Sequence, residues 1–370
     1  MAKAAAAMVQ VDGREVRVSS PDRVIYEATE RTAEVTKLMV AEYFASVGDG
    51  LMRALRDRPT ALERWPGGVR DGMKLATGPG DRNADAFYQK RVPKGAPDYL
   101  ETATITFPSG RTADEICPTE LAVPIWCAHM GTLTFHPWPV RRADVDRPDE
   151  LRIDLDPQPG TNFADARRVA DVARELLEDL GMRGFAKTSG NRGIHIFLRI
   201  EPRWDFVDVR HAAIAFGREL EKRDDGVTTA WWKEERGERI FVDFNQNSRD
   251  RTIASAYSLR PLPGAPVSTP LSWQELAEVK DPRDFNLFTV PERMDFNLFT
   301  VPERMADGDA WAEIDDLAHS LEPLLALWNE HPVELNYPPD YPKMPGEPPR
   351  VQPSKKVAEH WDEQGNRIEE

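Results

Sequence analysis

Leu151-Arg-Ile-Asp-Leu-Asp156 alternates apolar and polar side chains with a period of two, which reads as a β-strand with Leu151, Ile153 and Leu155 on one face. Asp154 and Asp156 then share the opposite face, about 7 Å apart along the strand. Pro157, which has no amide hydrogen for a sheet ladder, ends it. Two carboxylates so spaced suit hard divalent cations such as Mg²⁺ and Mn²⁺, which prefer oxygen ligands and keep positions open for phosphate oxygens. In a chain whose residues are 30% charged, the same pair also reads as the wet face of an ordinary strand.

Working outward, the spacing of Ala166, Ala170, Ala173, Leu177 and Leu180 predicts a helix over Phe163 to Leu180, stopped by Gly181. A hairpin follows. Phe185-Ala-Lys-Thr188 enters the turn Ser189-Gly-Asn-Arg-Gly193, and Ile194, Ile196, Leu198 and Ile200 then form a buried face opposite His195, Phe197 and Arg199. Two glycines let backbone amides approach an anion, Ser189 adds a hydroxyl, Arg192 a fork of donors, and His195 leaves the turn on the polar face. A triphosphate fits that inventory, and so does a plain Gly-rich turn with a solvated arginine.

Ile240-Phe-Val-Asp-Phe-Asn245 alternates again and carries Asp243 inside an apolar strand, where a lone carboxylate needs a partner. A metal ion and a buried ion pair serve equally well. Gln246, Asn247, Arg249, Arg251 and Arg260 then make a polar stretch that suits either phosphates or a surface loop.

The order of these pieces resembles the archaeo-eukaryotic primase superfamily, in particular the polymerase domain of bacterial ligase D and the stand-alone mycobacterial Prim-PolC group. The resemblance starts at Val18-Ser-Ser-Pro-Asp-Arg-Val-Ile-Tyr26 and continues through Glu63-Arg-Trp-Pro-Gly67, Phe87-Tyr88, Val92-Pro-Lys-Gly-Ala-Pro97 and Gly131-Thr-Leu-Thr-Phe-His-Pro-Trp138. It runs past Tyr257-Ser-Leu-Arg260 to Pro302-Glu-Arg-Met305. It implies that Asp154, Asp156 and Asp243 are catalytic and hold two divalent ions, Mn²⁺ or Mg²⁺. It implies a nucleotide pocket of Ser189, Arg192, His195, Gln246 and Arg260 with His136, and base stacking on Phe87 and Tyr88. A plain core role for Phe87 and a structural one for His136 remain open on the residues alone. The implied chemistry is attack of a primer 3′-hydroxyl on the α-phosphate of an NTP or dNTP, releasing pyrophosphate.

Two departures from that pattern stand out. Ligase D polymerase domains hold a DNA 5′-phosphate with a pair of basic residues; this chain keeps Arg23 and has Ala33 at the second place. It also carries a long Gly/Asp/Arg-rich segment between Trp65-Pro66 and Phe87-Tyr88. Both favour filling of short gaps in excision repair over dedicated end joining. Neither a P-loop nor the Lys-x-Asp-Gly signature of ligases is present, so a separate DNA ligase becomes an expected partner.

The expected fold is α+β, a mixed sheet flanked by helices plus a smaller N-terminal subdomain. Residues 1–14 read as a disordered start, 15–145 as the N-terminal part of the core, 146–330 as the catalytic subdomain with a last helix from Trp311 to Trp328, and 331–370 as a Pro-rich acidic tail. A helical stretch from Glu34 to Arg58 leads into strands such as Thr102 to Phe107. The absence of a basic start, of a long apolar run and of more than two cysteines points to a cytoplasmic protein without a membrane span. Cys117, Cys127, His129 and His136 have a spacing that matches no compact zinc motif.

The formal charge of −15 opposes nucleic acid only superficially, because residues 306–370 carry 15 acidic and 5 basic side chains whereas residues 53–94 carry 10 basic and 5 acidic ones. That basic segment also holds Trp65, Phe87 and Tyr88, a mixture suited to single-stranded template and equally to a solvated face over core aromatics. Two other readings stand beside a template-dependent primase-polymerase: an Asp-x-Asp glycosyltransferase using a nucleotide sugar, and a non-catalytic DNA-gap-binding module.

Asp284-Phe-Asn-Leu-Phe-Thr-Val-Pro-Glu-Arg-Met294 recurs unchanged as Asp295 to Met305. A close-packed core has one place for such side chains, so a single copy is expected to pack. Deleting residues 295–305 should leave the melting temperature nearly unchanged by calorimetry; a deletion variant that fails to fold would show that both copies are used.

Overall fold

A computed structural model of the chain describes residues 6–76, 81, 84–107, 110–292 and 309–335. Among the described residues two larger sheets carry the architecture, one of five strands and one of six. The N-terminal half begins with a hairpin of β1 (Ala6–Val11) and β2 (Arg14–Ser19), then the short pair β3 (Val24–Tyr26) and β4 (Val35–Thr36). Residues 6–14 of the expected disordered start are therefore ordered, with Val9 and Val11 buried in the core through β1, and residues 1–5 lie outside the described residues. Alternating valines on both strands give the hairpin one apolar face to bury, which supplies the reason.

The single helix expected over 34–58 is two, α1 (Lys37–Ser46) and α2 (Gly48–Leu55), broken at Val47. Thr36 starts α1, its hydroxyl accepting the Met39 amide at 3.4 Å. Next come β5 (Thr60–Arg64), β6 (Phe87–Gln89), β7 (Glu101–Thr106), β8 (Thr112–Cys117), α3 (Ala122–His129) and β9 (Thr132–Pro137). β5 is the hub of the five-stranded sheet, pairing with β6, β8 and β9.

The six-stranded sheet is built from β10 (Glu150–Pro157), β11 (Phe185–Thr188), β12 (Ile194–Arg199), β13 (Val227–Thr228), β14 (Ile240–Val242) and β15 (Pro270–Leu271), in the order β13-β14-β10-β12-β11-β15. Helices α4 (Phe163–Asp179) and α5 (Phe206–Arg223) cover one face, over Leu151, Ile153, Leu155, Ile194, Ile196 and Leu198. Asn162 and Asp205 cap the two helices, each side chain accepting first-turn amides. The short α6 (Lys233–Arg236), α7 (Trp273–Glu278) and a last helix α8 (Glu322–Glu330) complete the elements.

Several expectations need correction here. β12 has both faces buried, because Phe197 packs into the N-terminal core cluster, as does Phe185 of β11. The cores do not divide at residue 145 either: buried residues between Ile253 and Val267, with Leu287, Val290, Trp311 and Ile314, contribute to the N-terminal cluster, while Leu271 and Leu276 belong to the other. The helix expected from Trp311 starts only at Glu322, the preceding residues forming turns. In the first copy of the tandem segment Leu287 and Val290 are buried; the second copy, 295–305, lies outside the described residues, as does the tail beyond 335. Among the described residues no helix is long and apolar enough to cross a membrane.

One buried carboxyl has little support. Glu115 on β8 accepts the Trp138 indole N–H at 3.0 Å through Oε2, while its Oε1 has no partner among the described residues. Burial pushes it up to about 8, against a pull from Lys90. A group whose folded pKa is raised favours the folded state fully below its unfolded value near 4.5 and loses that contribution as pH climbs through 8. Glu115→Gln, uncharged throughout, should therefore gain on the parent chain by several degrees of melting temperature between pH 5 and pH 8.5, each pKa unit being worth about 1.4 kcal/mol. A pH-independent difference between the two proteins would contradict the buried-acid assignment.

Candidate active site

Strand register assembles the site. Asp154 on β10 lies opposite His195 on β12, and His195 lies opposite Lys187 on β11. On the other side of β10 the Asp243 amide donates to the Asp154 carbonyl at 3.0 Å. Lys187, His195, Asp154 and Asp243 thus form one row across the sheet. Within the row Lys187 Nζ meets His195 Nδ1 at 2.7 Å, and His195 Nε2 stands 3.4 Å from Asp154 Oδ1. Lys187 Nζ also donates to Ser268 Oγ at 2.5 Å.

Asp243 is not inside a strand as its alternation suggested. β14 ends at Val242, and Asp243 caps a 3₁₀ turn over Phe244–Asn247. Its Oδ1 accepts the Asn245 amide at 3.1 Å and its Oδ2 accepts Gln246 Nε2 at 2.8 Å. Asn247 anchors the far end of the turn by donating to the Arg152 carbonyl at 2.7 Å and accepting the Arg152 amide at 2.9 Å, in the manner of a neighbouring strand. Asp156, two residues beyond Asp154, is exposed and accepts Gln158 Nε2 at 3.2 Å.

Burial pushes Asp154 well above the usual carboxylate range, the charges of Asp243 and Asp156 add to that, and Lys187 and Arg260 oppose it. Burial raises Asp243 as well. Carboxylates that crowd and repel one another out of water are a donor set suited to divalent cations, which remove the repulsion. Among the described residues no three His, Cys, Asp or Glu side chains converge as a ready-made cage. The three aspartates bring the oxygen chemistry, and Gln158 and Gln246 each donate to one of them. The weak zinc grouping is not assembled: His129 Nδ1 accepts the Ser19 amide, His136 pairs with Glu63, and both cysteines are buried.

The turn at 189–193 abuts the row. Ser189 Oγ braces it by accepting the amides of Asn191 at 3.2 Å and Gly193 at 3.1 Å, so the hydroxyl supports the turn's shape. Gly190 has a φ of +75°, and a Cβ there would stand 2.4 Å from Cγ of Arg260, so two constraints demand glycine. Arg260 presses against the turn; its buried Nε has no hydrogen-bond partner among the described residues, a cationic donor left over in the site. Arg192 is exposed on the turn. Burial, with the charges of Lys187 and Arg260, holds His195 well below the ordinary histidine range, leaving it neutral.

Phe87 and Tyr88 on β6 are among the exposed large apolar side chains, 36% and 45% accessible, which removes the core reading of Phe87. The Arg64 guanidinium sits 5.1 Å from the Phe87 ring, and Tyr88 meets His136 edge to face at 5.2 Å. His136 Nε2 in turn lies 3.0 Å from Glu63 Oε2, and the Trp65 indole donates to Oε1 at 3.0 Å. Burial works to raise the Glu63 carboxyl, yet the contacts of His136 and Trp65 and the charge of Arg260 bring it below its ordinary value. An ionised carboxylate only accepts, so the His136 proton is on Nε2.

The second cation beside Arg23 is Lys37, not the exposed position 33. The Lys37 amide donates to the Arg23 carbonyl at 2.8 Å and Lys37 Nζ to the Ser19 carbonyl at 2.9 Å, while Arg23 Nη1 donates to the Pro66 carbonyl at 2.9 Å. Burial lowers Lys37 to about 8, helped by Arg23, Arg17 and Arg64, the mark of a cationic cluster. Residues 28–34 run between β3 and β4 without helix or strand, and Lys37, the first residue of α1, stands beside Arg23.

Lys187, Glu63 and Lys37 were missed in the sequence. Lys187 was legible in principle, since a five-residue turn at 189–193 makes it the partner of His195. Glu63 meets His136, and Lys37 meets Arg23 and Ser19, only through packing of distant segments.

The fold and the aspartate row define a primase-polymerase core. The chain belongs to the LigD primase-polymerase domain family, whose model matches residues 36–298. It is 30% identical over 300 residues to a protein of Pseudomonas aeruginosa named multifunctional non-homologous end joining protein LigD, covering 80% of this chain and 32% of that one. A protein of the same name from Mycolicibacterium smegmatis is 30% identical over 269 residues, covering 71% of this chain and 32% of the relative. This chain thus spans about a third of the length of those relatives. The polymerase domain of Mycobacterium tuberculosis ligase D, solved in complex with DNA, superposes with a TM-score of 0.68 at 27% identity, covering 82% of this chain and 99% of that one.

Glu63→Ala leaves the His136 and Trp65 N–H groups unpaired, at a cost of roughly 1–3 kcal/mol for each buried group. Thermal unfolding should register the loss, and NMR titration should find His136 shifted further down, because Glu63 is what raises it. A His136 titration unmoved by the substitution would show that the pair does not form.

Proposed function

We propose that the chain is a DNA-dependent primase-polymerase that adds ribo- or deoxyribonucleotides to a primer 3′-hydroxyl by nucleotidyl transfer, filling short gaps in DNA repair. The observation that carries this reading is the row His195–Asp154–Asp243 with Asp156 beside it, abutting a glycine turn and the unsatisfied Arg260. Family membership supports it and speaks against nucleotide-sugar transfer.

In this reading Asp154, Asp156 and Asp243 hold two divalent ions, Mn²⁺ or Mg²⁺. Two such ions would supply activation of the primer hydroxyl and neutralisation of triphosphate charge. The chain's own part is positioning. Arg260 and Arg192 supply charge-assisted donors to phosphate oxygens, and the amides of the 189–193 turn add dipoles of the same sign. Neutral His195, with Lys187 donating to Nδ1, presents Nε2–H as a further donor. Gln246 steadies Asp243, and Phe87 and Tyr88 offer faces on which any base stacks. His136 packs edge to face on Tyr88 and would fix that ring where the base stacks. Arg23 and Lys37 take the 5′-phosphate that bounds a gap, and with that pair present end joining regains the weight that Ala33 had removed.

Primer extension on open, gapped and 5′-phosphorylated gapped templates, with NTPs and dNTPs and with Mn²⁺ or Mg²⁺, tests the reading. Asp154→Ala, Asp156→Ala and Asp243→Ala should each abolish incorporation without loss of fold. Lys37→Ala should cut the preference for the 5′-phosphate about tenfold, since a charge-assisted contact is worth roughly 1.5–3 kcal/mol. Substantial extension by any aspartate variant would sink the metal assignment.

A further inference from the structure

Asp243 stands at the end of a chain of contacts that begins on the opposite side of α5. Its Oδ1 is held by the Asn245 amide, and Asn245 Oδ1 accepts Arg210 Nε at 2.9 Å. Arg210 is fully buried in α5, its guanidinium 5.1 Å from the Phe244 ring. Beyond Arg210 lies the segment that follows α8. Glu334 pairs with Arg210 Nη1, Arg210 Nη2 donates to the Leu335 carbonyl at 2.9 Å, and His211 Nε2 reaches Glu334 Oε2 at 2.9 Å. His211 itself stacks on Trp328 of α8, ring centroids 4.0 Å apart and planes 7° from parallel. Arg218 ties the same segment to α5 through the carbonyls of His331 and Val333.

We propose that Arg210 is a positioning residue for Asp243 and that residues 331–335, through Glu334, act as the clasp that holds it there. A buried guanidinium keeps a defined orientation only where acceptors match its fork. Here that fork spans two elements remote in sequence, with Asn245 of the aspartate-bearing turn on one side and the post-α8 segment on the other. When the clasp is open, the Arg210 guanidinium loses its partners in residues 334–335, its hold as a donor on Asn245 Oδ1 loosens, and the turn over 244–247 relaxes. The consequence falls on the third carboxylate, because its Oδ1 is fixed from within that turn. The clasp thereby couples the region after α8 to the catalytic face without touching substrate.

The inference rests on Asp243 being a metal ligand, and its test separates the two ideas. In the full chain, Glu334→Gln removes the ion pair with little change of shape, and Arg218→Ala releases the same segment without altering Glu334 or Arg210. Two measurements are made: amide hydrogen exchange without metal, and Mn²⁺ binding followed by the electron paramagnetic resonance signal of the free ion. Both variants should exchange the amides of Asn245, Gln246 and Asn247 faster while β10 and α4 stay protected. Both should also bind Mn²⁺ about tenfold more weakly, the scale of outer-shell effects on metal sites. Glu334→Asp, which keeps the charge, should recover much of the difference. Unchanged exchange in the turn would overturn the clasp, as would faster exchange spread equally over β10, α4 and α5. If the unaltered chain binds no Mn²⁺, the metal reading fails, and the exchange measurement still decides the clasp.

Discussion

Everything at the candidate site depends on one register, that of β10 against its two neighbours. Asp154 opposite His195, with the Asp243 amide on the Asp154 carbonyl, is what turns three separate stretches of sequence into a row. A slip of one residue would send Asp154 and Asp156 into the apolar layer beneath α4 and α5 and bring Leu155 to the polar side. The cost of burying carboxylates among Leu151, Ile153 and Ile196 makes that slip prohibitive, so hydrophobic packing on one face fixes the electrostatics of the other.

A second constraint sits at the base of β10. Arg58 is fully buried and pairs with Asp149 and Glu150; Glu150 also binds Arg152 and Arg199, and Arg152 donates to the Pro137 carbonyl at 2.9 Å. Removal of one partner from such a cluster leaves a charge stranded out of water, which is far costlier than the pair itself is stabilising. The network ties β10 to the end of β9, next to His136. The aspartate row and the Glu63–His136–Tyr88 group are thus joined through one buried network although they lie on different sheets.

The charge layout bears on the proposed binding of a polyanion by a chain of net −15. Arg17, Arg23 and Arg64 gather around Lys37 at the start of α1, each lowering its pKa, while Asp154 and Asp156 stand on β10 and Asp243 just past the end of β14. Local fields, not the total, steer a polyanion. In the proposed reading, repulsion among the aspartates and the Nε of Arg260, unpartnered among the described residues, are two halves of one arrangement, each of which a ligand bringing metal and phosphate together would relieve.

The sequence by itself determined the strand with Asp154 and Asp156 on one face, the helix after it, the hairpin around Ser189 to Gly193, and the likeness to ligase D polymerase domains. Those features are written in neighbouring residues: a period of two, a helical repeat, a turn of fixed length. Only the tertiary structure decided that Asp243 caps a 3₁₀ turn, that residues 6–11 form a strand, that Lys37 joins Arg23, that Glu63 orients His136, and that Glu334 reaches Arg210. Each of these sets side by side groups that lie from a dozen to more than a hundred residues apart, or depends on what packs against a segment. Distant contacts of that kind follow from how two cores share the faces of one sheet, and no local pattern encodes them.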